Sequence, residues 1–165
     1  MKRRLLISFA SVGAMLLSGC DPQYISELEE GTSTEAQVRM KFGEPDAVWQ
    51  EPNGVHVLEY DRQPEGTTNY MIAIGSDGKM TSLRQVLSPA NFEKIKPGMD
   101  AQEVRRRLGK PMKMTPYPHQ SVWHYDWRYQ DGPNVSDRKI FTVVFTADLK
   151  VISTQSAEDP KLRQG

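Results

Sequence analysis

The chain has 165 residues, room for one domain or two small ones, with 38% apolar and 25% charged side chains and 21 basic against 21 acidic groups. Its 3 Trp, 6 Tyr and 5 Phe among spaced Val, Ile and Leu exclude a disordered polymer, and zero net charge gives no support to a nucleic-acid partner. A single cysteine excludes an intramolecular disulfide framework, and 3 scattered histidines argue against a zinc cage.

At the N-terminus, Lys2, Arg3 and Arg4 precede thirteen uncharged, mostly apolar residues, 5–17, and then Ser18, Gly19 and Cys20. A basic start, a short apolar stretch and small residues form an export signal. As a helix the apolar stretch spans about 20 Å, short of the roughly 30 Å of a hydrocarbon core. Leu17-Ser18-Gly19-Cys20 resembles a bacterial lipobox. The resemblance implies cleavage before Cys20, diacylglycerol on its thiol and acylation of the new amino group. Removing residues 1–19 takes away three basic groups and leaves 18 against 21 acidic ones. A slightly acidic body is not drawn to an anionic bilayer by charge, so acyl chains at Cys20 carry the attachment.

Helical spacing over residues 24–30 predicts a short first helix. Thr34 and Gln37 then frame a second, which Gly43 and Pro45 end. Residues 55–60 and 70–74 read as strands, and Asp77-Gly78-Lys79 turns the chain into a third at 80–86. Residues 89–96 repeat the short helical spacing. Asp100 with Glu103 makes a capping box, with Met99 and Val104 as its hydrophobic staple and Gly109 and Pro111 as its stop. Trp123, Tyr125, Trp127 and Tyr129 alternate with polar His124, Asp126 and Arg128, the period of a half-buried strand. Residues 141–145 and 151–154 follow as strands around Asp148-Leu149-Lys150.

These elements are two copies of one pattern. Gly31 matches Gly98 at an offset of 67; Thr34, Gln37, Val38, Gly43 and Pro45 match Asp100, Glu103, Val104, Gly109 and Pro111 at 66. Val57, Tyr60 and Asp61 match Val122, Tyr125 and Asp126 at 65, and Tyr70, Ile72 and Ile74 match Phe141, Val143 and Phe145 at 71. The expected fold is α+β: two tandem units, each two short helices and a three-stranded antiparallel meander. Residues 1–19 are the signal, 20–24 the lipidated start and linker, 25–87 the first unit, 88–157 the second and 158–165 a frayed polar tail. Units of this size are marginal alone, so they are expected to pack together.

Ile95-Lys96-Pro97-Gly98-Met99, then Glu103-Val104, Leu108-Gly109-Lys110-Pro111 and Trp123-His124-Tyr125 resemble the SmpA/OmlA (BamE-like) family of bacterial lipoproteins. The first copy is similar more loosely, with Thr32 where the pattern has Met and Leu58 where it has Trp. The tandem form is also similar to the β-lactamase inhibitory protein fold. The first resemblance implies a non-enzymatic accessory factor in outer-membrane β-barrel assembly, lipid-anchored on the periplasmic face of the outer membrane. Asp21 after the cysteine leaves retention at the inner membrane as the alternative site. The second resemblance implies a periplasmic protein-binding or inhibitor module.

Catalytic chemistry is sparse: no Gly-x-Ser-x-Gly elbow occurs, and His56, His119 and His124 lack ligand spacing. No metal, cofactor or nucleic acid is expected. Asp61 and Asp126 recur at strand ends and fit turn chemistry better than a carboxylate pair. The aromatic stripe reads first as an inner sheet face, with its excess area left for a partner. Arg128 on the opposite face, with Trp127, Tyr129 and Met99, is the candidate docking set for an envelope protein, and Cys20 the lipidation site.

Overall fold

The computed structural model describes residues 21–163; the expected signal segment and Cys20 lie outside the described residues. The first unit runs α1 (Asp21–Ser26), α2 (Glu35–Phe42), β1 (Ala47–Gln50), β2 (His56–Asp61), β3 (Asn69–Ile74) and β4 (Met80–Gln85). The second runs α3 (Pro89–Phe92), α4 (Ala101–Leu108), β5 (Lys113–Tyr117), β6 (Val122–Gln130), β7 (Arg138–Thr146) and β8 (Val151–Glu158). Each sheet is antiparallel in sequence order, β1-β2-β3-β4 and β5-β6-β7-β8.

The fold is α+β with four strands per unit, one more than the three-stranded meander expected. The missed strands are the two edges. Residues 47–50 are too few to show an alternation, and Pro116 interrupts the second. An edge tolerates such a residue, because a proline there forfeits no interior ladder bond. The first helix of each unit is also displaced or shortened. α1 spans Asp21–Ser26 rather than 24–30, so most of the expected linker is helical, and α3 stops at Phe92.

Both capping boxes form. Thr34 and Asp100 each accept from the N3 backbone, and Gln37 and Glu103 each accept from the cap's own amide. Gly43 and Gly109 end the helices at φ 84 and 77, a region that penalises a Cβ. Each helix start is stitched to the last hairpin of its own unit: Gly31 donates to Met80 as Gly98 does to Val151, and Glu35 to Gly78 as Ala101 to Leu149. A bulge falls at Ala73/Ile74 and again at Val144/Phe145. The duplicated pattern thus extends to individual hydrogen bonds.

The two cores are separate. Val38 and Phe42 of α2 pack on Leu58, Tyr60, Tyr70, Ile72 and Ile74, the even face of the first sheet. Val104 and Leu108 of α4, with Phe92, pack on Trp127, Tyr129, Phe141, Val143 and Phe145. Each fully buried aliphatic side chain here contributes roughly 1.5–3 kcal/mol. α4 has sheets on both sides, since its arginines reach back to the first sheet. The order of layers is α2, first sheet, α4, second sheet. Of the tail expected to fray, residues 158–163 are tied down: β8 extends to Glu158, Asp159 is 2% exposed, and a 3-10 turn follows at Pro160–Arg163.

Candidate functional site

Two surfaces gather the chemistry of the chain: the joint between the units and the outer face of the second sheet. At the joint, Glu59 on the odd face of β2 is fully buried. It accepts from Trp49 Nε1 at 2.7 Å and pairs with Arg105 at 3.0 Å. Arg105 and Arg106 stand over the Trp49 ring at 5.6 and 4.9 Å, and Arg106 pairs with Glu51 at 2.7 Å. A buried carboxylate is tolerated only when so paired.

The C-terminal end of α4 is completed by Asn69 and Asp61 of the other unit and by Trp127 of its own. Asn69 Nδ2 donates to the carbonyls of Leu108 at 2.8 Å and Lys110 at 3.2 Å. The Lys110 amide donates to Asp61 Oδ1 at 2.9 Å, and Trp127 Nε1 donates to Gly109 O at 3.0 Å. Helix-end carbonyls that would otherwise need water are satisfied by side chains. Asp61 is therefore more than the strand-end turn residue expected. Its Oδ2 is buried and has no partner among the described residues. Burial above all, then the neighbouring Glu59 carboxyl, pushes its acid up to about 8. Asp126, matched to Asp61 by sequence offset, stands by register and by the Met112 N–H to Asp126 O bond at the place of Glu59, and it accepts from Thr142 Oγ1 at 2.6 Å.

Arg128 lies on the outer face of β6, as alternation requires, but it is not exposed. It is 4% exposed, pairs through Nε with Asp159 at 2.6 Å and donates to Pro64 O. Its backbone lies beyond the start of β5, where the edge of β6 is bare. Gln63 fills that gap, donating to Arg128 O at 2.8 Å and accepting from its amide at 3.2 Å. Burial raises the Asp159 acid, but the Lys161 amide and the Arg128 guanidinium outweigh it and hold the group below the usual carboxylate range. The expectation of a free arginine thus fails because two loops fold over the face that carries it. Trp127 and Tyr129 are inner-face core, at 1% and 3% exposure, and Met99 is half-buried against the same core. None of these four presents a free anchor.

What remains open is a groove of about 580 Å³ on the outer face of the second sheet. Its floor carries His124, Asp126, Ile140 and Thr142, and its rim Tyr117, Lys113, Pro160 and Lys161. The Tyr117 and His124 rings lie 4.4 Å apart, and Tyr117 is 40% exposed. Sequence reasoning missed Tyr117 because the edge strand that presents it was missed. It missed Glu59 and Asn69 because only the tertiary partner makes them interior; the one hint was the run Arg105-Arg106-Arg107 on an otherwise amphipathic helix. His56 bonds Glu35 at 2.9 Å, tying β2 to α2. Among the described residues no cluster of three or more His, Cys, Asp or Glu side chains is placed to hold a metal ion, and no helix is long and apolar enough to cross a membrane.

Comparison with solved structures gives remote likenesses. A DUF4309 family protein (YjgB) from Bacillus subtilis is 17% identical, with a TM-score of 0.31 over 80% of this chain and 82% of that one. A β-lactamase-inhibitor-like protein from Streptococcus mutans is 10% identical, with a TM-score of 0.33 over 82% of this chain and 94% of that one. No curated protein matches the sequence. The resemblance read from Gly98, Gly109 and Trp123-His124-Tyr125 is matched by a family: residues 85–155, in effect the second unit, match the outer membrane protein assembly factor BamE domain.

Proposed function

We propose that the chain is a non-enzymatic, lipid-anchored accessory factor of outer-membrane β-barrel assembly, held at the periplasmic face of the outer membrane by acyl chains on Cys20. The match of residues 85–155 to the BamE domain carries this reading. The disposition of polar groups supports it: the buried charges at Glu59, Asp159 and Arg128 are spent on joining elements, while the accessible chemistry lies in an open groove. The groove is then the accessible surface at which a partner would be recognised.

The test is a pull-down of the tagged, lipidated protein from detergent-solubilised envelopes. Recovery of β-barrel assembly components, and sedimentation of the protein with outer membranes in a density gradient, is the expected result. Recovery of a soluble periplasmic enzyme in their place, or fractionation with the inner membrane alone, would overturn it.

A further inference from the structure

Of the four edge strands of the two sheets, β1, β4, β5 and β8, three are blunted in the ways that protect sheets from stray pairing. β1 has only four residues, and β5 carries Lys113 and Pro116. β4 is capped: the Leu83 amide donates to Glu30 Oε1 at 3.0 Å, and Arg84 pairs with the same carboxylate at 2.8 Å. β8 has none of these devices. It runs for eight residues, and 151–157 hold neither charge nor proline.

Leu83 stands opposite Ile72 as Thr154 stands opposite Val143, both at an offset of 71. Glu30 precedes Gly31 as Pro97 precedes Gly98, and those glycines make the same bond to Met80 and Val151. The capping carboxylate of the first unit is thus a proline in the second, with no acceptor to offer the edge. The Thr154 amide points away from β7, as the Leu83 amide points away from β3, and alternation turns the Ser156 amide and carbonyl the same way. Among the described residues neither backbone has a partner on that side. The side chain differs too: Leu83 packs against the first core, whereas Thr154 is exposed. Beside Thr154 and Ser156, between α3 and β8, lies a pocket of about 230 Å³ walled by Phe92, Tyr129 and Phe141. The Phe92 and Phe141 rings stack there at 3.9 Å.

We propose that the β8 edge binds an extended, uncharged segment of a partner protein as an added strand, continuing the antiparallel order of the sheet. The segment sets one large apolar side chain in the pocket between α3 and β8. A strand presents donors and acceptors at the spacing of the Thr154 and Ser156 groups. The guest side chain supplies to the second core what Leu83 supplies to the first. Backbone bonds give the affinity and the pocket selects the residue, as strand addition divides the two tasks. A second copy pairing through its own β8 leaves the pocket empty: the register that joins Thr154 to Ser156 brings it two hydroxyls and no apolar side chain. The site is separate from the outer-face groove, and the inference goes beyond the function proposed above without depending on which assembly the chain joins.

The probe is a short synthetic peptide of alternating threonine and valine with a leucine at its centre and a lysine at each end. One control replaces the leucine by serine; another methylates the backbone nitrogens of the leucine and valines, which face β8 when the leucine lies over the pocket. Each is titrated into the mature lipidated chain in detergent while amide resonances are followed. The leucine peptide should shift Thr154, Ser156, Phe92 and Phe141, and each control should bind at least about tenfold more weakly. Thr154→Leu fills the pocket from within and should weaken the leucine peptide by a similar factor without lowering the melting temperature. Ser156→Pro removes an amide that the fold leaves unused and should weaken it likewise. Equal binding of the three peptides, shifts confined to the outer-face groove, full binding by a folded Thr154→Leu variant or absence of binding would each overturn the proposal. Concentration-dependent dimers abolished by Ser156→Pro would overturn it in favour of a second copy. Recovery of assembly components from envelopes by a chain that binds none of the peptides would overturn this inference and leave the proposed function standing.

Discussion

Asp61→Asn should stabilise the protein, and only above acidic pH. Asp61 sits at the joint with one oxygen on the Lys110 amide at 2.9 Å, the other buried without a partner, and Glu59 beside it. Its acid is raised from 3.8 to about 8. Between those values the folded chain holds a proton that the unfolded chain has released, so stability falls as pH rises through that window and levels off above it. At 1.36 kcal/mol per unit the shift bounds the loss at roughly 5–6 kcal/mol. Partial solvent access to the side chain brings the expected loss to about 2 kcal/mol, comparable to one unsatisfied buried polar group. Asparagine keeps the acceptor for Lys110 and gives Glu59 an uncharged donor. Thermal unfolding followed by circular dichroism should show the variant melting about 4–8 °C higher at pH 8 and level with the parent near pH 4. A gap of the same size at both pH values, or a variant that melts lower at pH 8, would refute the reasoning.

Arg128→Ala should lower the melting temperature by about 6 °C or more, since it strands the buried Asp159 carboxylate at a cost of about 3 kcal/mol; an unchanged melting curve would show the pair to be dispensable. Gly43→Ala and Gly109→Ala both place a Cβ at positive φ, for roughly 1 kcal/mol each. At Gly109 that Cβ would lie 2.4 Å from Asp61 Oδ1 and 2.7 Å from Asn69 Nδ2, whereas at Gly43 it meets nothing within 4 Å. Chemical denaturation should therefore rank Gly109→Ala as the more damaging by at least about 1 kcal/mol. Cys20→Ser should abolish lipid labelling and move the protein from the membrane fraction to the soluble one; normal labelling would refute the anchor.

The local grammar of the fold was legible. Thr34-x-x-Gln37 and Asp100-x-x-Glu103 start the helices they were expected to start, and Gly43 and Gly109 stop them, because capping is decided within a few residues. Alternation along β6 placed Trp127 and Tyr129 inward and Arg128 outward correctly. It could not show that outward here means beneath Pro64 and Asp159, since cover of that kind is set by residues about 64 and 31 positions away. Asp61 was misread for the same reason: its bonding partner is the Lys110 amide, 49 residues on. The edge strands escaped because a four-residue run and a strand containing Pro116 carry little period-2 signal. Tyr117, the one exposed aromatic of the groove, was lost with them.

The sandwiching of α4 between two sheets also has a consequence for the time order of folding. As the chain is made from its N-terminus, residues 21–85 can close their own core around Val38, Leu58 and Ile72 before residues 101–110 exist in contact with them. Glu59 and Asn69 are then still in water, and the first sheet is a half-finished surface with a hydrated carboxylate at its centre. Only when Arg105 and the Leu108 and Lys110 carbonyls arrive is that carboxylate dried and neutralised in one event. Arg105→Ala should accordingly spare early collapse and slow the final locking, a separation that stopped-flow fluorescence of Trp49 is placed to see.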